Sequence, residues 1–118
     1  MRERYFYQHL IDLNEIHNLL DKVELEAAER QKLLDTINHT IHLEIVKFVL
    51  DELPKEQHHE FLASYDKRPG DTGVIIFLRR SITNLDDRLQ HVIQQVTSDF
   101  KDALHDYLRT SEEFLAGV

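Results

Sequence analysis

Apolar residues recur every three or four positions along most of this chain, the spacing that lays one stripe of side chains along an α-helix. Phe6, Leu10, Leu13, Ile16 or His17, and Leu20 predict a first helix over about 4–21, and the stripe slips phase in a short connection at 21–25. Ala27, Leu34, Ile37, Ile41, Ile45, Phe48 and Leu53 predict a second helix over 26–52, about 40 Å long at the usual rise per residue. Pro54 ends it, because proline lacks an amide proton and crowds the preceding turn, yet it suits the first position of a new helix. That third helix is predicted over 54–66, with His58, Phe61, Leu62 and Tyr65 as its stripe.

Lys67-Arg68-Pro69-Gly70-Asp71-Thr72-Gly73 holds most of the turn chemistry and is read as a loop. The next five residues, Val74-Ile75-Ile76-Phe77-Leu78, suit either a buried strand or a buried helical turn. No second strand candidate exists elsewhere, so a strand would have to pair between chains. Helix is the preferred reading, with Asp71 or Thr72 as cap and Arg79 and Arg80 at the carboxyl end, where cations complement the helix dipole. Ser81–Asn84 break the pattern, and Thr83 with Asp86 imitates a capping box. Leu85, Leu89, Val92, Val96, Phe100, Ala103 and Tyr107, flanked by Ile93, Leu104 and Leu108, then predict a long amphipathic helix over 84–113 that frays through Gly117. The expected fold class is all-α: a single helical domain over 1–118, built as a compact bundle of about five helices, two of them long.

Composition supports long helices, since only three glycines and two prolines interrupt 118 residues. The absence of cysteine removes disulfides, thiolate metal sites and a cysteine nucleophile together. A net charge of −8 has the wrong sign for wrapping phosphate backbones, so no nucleic-acid partner is expected. The amino terminus places Gln8, His9, Asp12, Asn14 and Glu15 where a signal peptide needs an unbroken apolar region. The longest apolar run is five residues, against about twenty for a membrane span. Neither a membrane partner nor secretion is expected, and the cytoplasm is the favoured compartment.

The run Leu25-Glu26-Ala27-Ala28-Glu29-Arg30-Gln31-Lys32-Leu33-Leu34, the restart Leu53-Pro54-Lys55-Glu56-Gln57, and Ile82-Thr83-Asn84-Leu85 followed by Phe100-Lys101-Asp102 carry a resemblance. Over about residues 8–108 the chain resembles a small, uncharacterised all-helical family found mainly in candidate-phyla bacteria. The resemblance implies a helical fold and transfers no catalytic residue.

Eight histidines are the unusual feature of the composition. Neutral imidazoles bind transition metals, and two on one helix face at a spacing of three or four can share an ion. His39 and His42 have that spacing, while Glu56 with His59 and Asp102 with His105 give the carboxylate-x-x-His pattern used by di-iron bundles. A di-iron site needs two further inward-facing carboxylates that the sequence does not single out, so these six residues are candidates only and no metal or other cofactor is expected. Protonating all eight histidines would cancel the net charge, so solubility and self-association are expected to respond to pH between about 7 and 5. Ser64, Ser81, Ser98 and Ser111 lie outside any nucleophile elbow, and Gly70-Asp71-Thr72-Gly73 lacks the lysine and spacing of a phosphate loop. No catalytic residue is assigned.

Charge is unevenly placed. Residues 1–66 carry −7 and residues 84–118 carry −4, but 67–83 carries +3 from Lys67, Arg68, Arg79 and Arg80 against Asp71. The basic segment is also the most apolar one. Ile75, Phe77 and Leu78 rimmed by Arg79 and Arg80 therefore form the candidate contact surface for a protein partner or a second copy of the chain. The expected function is a non-enzymatic helical interaction or self-association module. The alternatives are a metal-binding bundle using His, Glu and Asp, and an acidic inhibitor of the antitoxin kind.

Overall fold

The computed structural model describes residues 5–68 and 70–116, with side chains described through residue 110. A 3₁₀ turn at Gln8–Leu10 is followed by five α-helices: α1 (Asn14–Leu20), α2 (Ala27–Glu52), α3 (Lys55–Lys67), α4 (Thr72–Ser81) and α5 (Leu85–Ala116). No strand occurs among the described residues. The two long helices α2 and α5 fall where the periodicity places them. The expected start at residue 4, Pro69 in the loop and Gly117 at the end lie outside the described residues.

The helices build two compact units. The first joins the segment up to Ile11 with His42–Ile93, and therefore holds the second part of α2, all of α3 and α4, and the start of α5. Its buried side chains include Phe6 and Tyr7, Ile45, Val49 and Leu53 of α2 and its end, Phe61 and Tyr65 of α3, Val74, Ile75 and Leu78 of α4, and Leu85, Leu89 and Ile93 of α5. Each fully buried side chain of this size contributes roughly 1.5–3 kcal/mol relative to exposure. The second unit joins Asp12–Ile41 with the chain from Gln94 onward, and buries Ile16, Leu19, Leu20, Ile37, Ile41 and Val96. Its buried Thr97 hydroxyl is satisfied by donating to the Gln94 carbonyl at 3.1 Å. In this unit Lys101 pairs with Glu15 at 2.7 Å and Arg30 with Asp21 at 2.7 Å.

The first predicted helix is the element the structure corrects. Ile11 is extended, with ψ at 123°, and separates the 3₁₀ turn from α1. The Asn14 amide donates to Asp12 Oδ1 at 3.0 Å, a local bond that offers the backbone an alternative to continuing a helix. Leu10 and Leu13 are consequently only half-buried, whereas Phe6, Tyr7, Ile16 and Leu20 are buried.

Segment 74–78 is helical. Asp71 caps α4 by accepting from the Gly73 amide at 2.9 Å, Arg79 and Arg80 occupy the last turn, and Val74, Ile75 and Leu78 form the buried stripe. Replacing Asp71 with alanine is expected to cost about 1 kcal/mol, and serine should recover most of it. Urea unfolding of the two variants checks this; equal midpoints for alanine and wild type would show that the cap contributes nothing. Asp86 does not complete a capping box with Thr83, because the first backbone bond of α5 runs from the Arg88 amide to the Asn84 carbonyl at 3.0 Å, one residue past Thr83; the two Asp86 carboxylate oxygens instead accept from Arg79 Nε at 3.2 Å and Nη2 at 2.9 Å. That pairing raises the Arg79 pKa further above its ordinary value. Asn84 supplies the turn before α5 with φ at 55°, a left-handed conformation that asparagine tolerates better than most residues.

Candidate functional site

Two places in the first unit gather chemistry. The larger is a half-open cleft of about 440 Å³ where α3 meets α4, within the range of ligand-holding pockets. Positions 60, 64 and 67 of α3 share one helix face, and Glu60, Ser64 and Lys67 line the cleft together with Arg68, the residue after the helix. From the α4 side come Asp71, Gly73, Val74 and Phe77. Phe61 and Val74 are buried behind its apolar surface and Phe77 is half-buried at it. A Cβ added to Gly73 would meet nothing nearer than the Asp71 carboxylate at 3.5 Å.

The charged lining is mixed, Lys67 and Arg68 with Glu60 and Asp71. Lys67 forms no ion pair among the described residues, and Arg68 reaches Asp71 only at 3.8 Å with 80% of its side chain exposed. At 100° per residue, Ile76 and Arg80 share a strip of α4 next to the cleft-lining Phe77. Both are exposed, and Ile76 is one of the few large apolar side chains left so.

The second place is a knot of aromatic rings. The Tyr65 hydroxyl lies 2.7 Å from His42 Nδ1 and the Tyr7 hydroxyl lies 3.0 Å from the same nitrogen. Tyr7 also hydrogen-bonds to Tyr65. Tyr5 stacks on Tyr7 with ring centroids 5.3 Å apart and on Tyr65 at 6.3 Å, and Phe6 meets Tyr7, Phe61 and Tyr65 edge-on. Burial is the main reason that the Tyr65 hydroxyl is pushed up to about 12, outweighing the hydrogen bond from Tyr7 that acts the other way. Tyr65 therefore stays protonated beside the His42 ring. The knot ties the amino-terminal segment to α2 and α3, a structural task.

The sequence-predicted residues divide. Of the contact surface, Ile75 and Leu78 are buried in the core of the unit, Phe77 is half-buried at the cleft, and Arg79 and Arg80 are exposed, with Arg79 committed to Asp86. Of the metal candidates, His42 is engaged by the tyrosine hydroxyls, while His39, Glu56, His59, Asp102 and His105 are exposed on their helices. Among the described residues no three His, Asp or Glu side chains gather closely enough to hold a metal ion. His58 Nε2 donates to the Leu53 carbonyl at 2.9 Å and closes the α2–α3 junction. Sequence reasoning missed the aromatic knot, although three consecutive aromatics at 5–7 were its signal, and it missed the cleft between α3 and α4.

No family model, no curated protein and no solved structure matches this chain. No helix among the described residues is long and apolar enough to cross a membrane.

Proposed function

We propose that this chain acts by association: it is a non-enzymatic helical interaction module whose contact surface is the α3–α4 edge. The observation that supports this reading is the half-open cleft between α3 and the basic segment 67–83, apolar at Phe61, Val74 and Phe77 and charged at Glu60, Lys67, Arg68 and Asp71. An apolar centre with a charged rim is the anatomy of a protein contact, in which the desolvated middle supplies most of the affinity and the rim sets partner and orientation. Phe77 supplies the aromatic anchor, Ile76 extends the apolar area, and the mixed charges of Glu60, Lys67, Arg68 and Asp71, with Arg80 near Phe77, set partner and orientation.

The test compares full-length wild type with the double variant Phe77→Ala/Arg80→Glu as baits, with mass spectrometry of the captured proteins and sedimentation of the bait itself. The reading predicts that association present in wild type, with a partner or with itself, is lost in the double variant while circular dichroism shows the same helix content. Identical captured proteins and identical sedimentation for both chains would overturn it.

A further inference from the structure

The charges lining the α3–α4 cleft are sorted along its length. At the end next to the loop, Arg68 and Asp71 lie 3.8 Å apart and offset each other. That leaves Lys67 at this end and Glu60 at the other, neither of them in an ion pair among the described residues. The two are separated by two turns of α3, which places them on one face and about 10 Å apart along the axis. Ser64 stands between them on that face, and its hydroxyl forms no hydrogen bond among the described residues. Phe61, Val74 and Phe77 supply the apolar part of the lining.

The molecule that such a lining complements is neutral overall, with a cation at one end, an anion at the other and apolar surface between. Three extended residues span about 10 Å, so the free amino and carboxyl ends of a tripeptide match the separation of Glu60 and Lys67. The Ser64 hydroxyl can donate to or accept from the peptide groups at its middle. We propose that the α3–α4 cleft binds short apolar peptides with both ends free, the ammonium at Glu60, the carboxylate at Lys67 and the central side chain against Val74 and Phe77. Taking that side chain out of water supplies most of the affinity. The two exposed ion pairs add little each, but together they set the direction and length of the peptide, because a shorter one cannot reach both. Peptide binding is additional to the association assigned to this edge and does not depend on it.

Titrating the isotopically labelled full chain with alanyl-leucyl-alanine, followed by amide nuclear magnetic resonance, tests it. The signals of Ser64, Lys67, Gly73 and Phe77 should shift and saturate. The amino-acetylated and the carboxyl-amidated forms of the same peptide should each bind about three- to fivefold more weakly, the effect of one exposed ion pair. Triglycine, with the same charged ends and no apolar side chain, should bind about tenfold or more weakly. In Glu60→Gln the acetyl group should no longer matter, and in Lys67→Gln the amide should no longer matter. Both side chains are exposed, so neither variant disturbs the core. Shifts that do not saturate, free and blocked peptides that bind equally, or variants that keep the wild-type preference would each overturn the proposal. Protein capture through the same edge is read separately with Phe77→Ala/Arg80→Glu, so an absence of peptide binding removes this inference and leaves the association reading standing.

Discussion

Truncating Phe61 to alanine is expected to remove about 3–5 kcal/mol of stability. Phe61 is fully buried in the first unit, with its ring 5.7 Å from Tyr65 and edge-on to Phe6 at 6.4 Å. Alanine would forfeit the transfer energy of a whole ring and leave a hole among aromatic groups too stiff to close it. Against a total of about 5–15 kcal/mol for an ordinary domain, that is a large share. Equilibrium urea unfolding followed by circular dichroism measures it. The neighbouring Leu62→Ala, at a side chain 38% exposed, supplies the control and should stay within roughly 0.5 kcal/mol of wild type. Equal losses for the two would mean that α3 is rotated from the orientation described.

Stability should also fall steeply in strong alkali, and Tyr65 should account for much of the fall. Its hydroxyl is pushed from 10.0 up to about 12 in the folded chain, chiefly by burial. A folded-state pKa above the unfolded one means that the unfolded chain releases its proton first. The neutral phenol's contribution is therefore present in full below pH 10 and is lost as the pH rises from about 10 to about 12. A tenfold difference in proton affinity between the folded and unfolded chains corresponds to about 1.4 kcal/mol, so the loss across that window is at most roughly 2–3 kcal/mol. Tyr65→Phe has no such proton to lose. It should cost about 0.5–1.5 kcal/mol at neutral pH, for the bond to His42, and then decline less than wild type through the alkaline range. Urea midpoints of the two chains at several alkaline pH values test this, and parallel decline would remove Tyr65 as the cause. Ultraviolet difference titration of wild type against Tyr65→Phe offers an independent check, since the phenolate absorbance isolated by subtraction should rise only near pH 12.

What was legible in the sequence follows from what periodicity encodes. Ile37, Ile41, Ile45 and Leu53 of α2 and its end, and Leu85, Leu89 and Val96 of α5, lie on predicted stripes and are buried, because the α-helical repeat alone assigns them to one face. Segment 74–78 is helical because capping by Asp71 and the closing pair Arg79–Arg80 are local signals, readable without knowing the fold. The break at Ile11–Leu13 was not legible, since the apolar spacing runs through it and the competing bond from Asn14 to Asp12 is shorter in range than any stripe. The contact surface was half legible. Composition located the basic apolar segment, but only the handedness of α4 decides that Ile75 and Leu78 turn inward while Phe77 borders the cleft and Ile76 and Arg80 face outward. The aromatic knot joins positions 7, 42 and 65, a long-range meeting that no local pattern announces.

Self-association through the α3–α4 edge is tested most directly by amide nuclear magnetic resonance of the isotopically labelled chain on serial dilution. The signals of Ser64, Lys67, Gly73 and Phe77 are predicted to move with concentration. Spectra that stay unchanged from the most dilute to the most concentrated sample, or shifts confined to other helices, would contradict it.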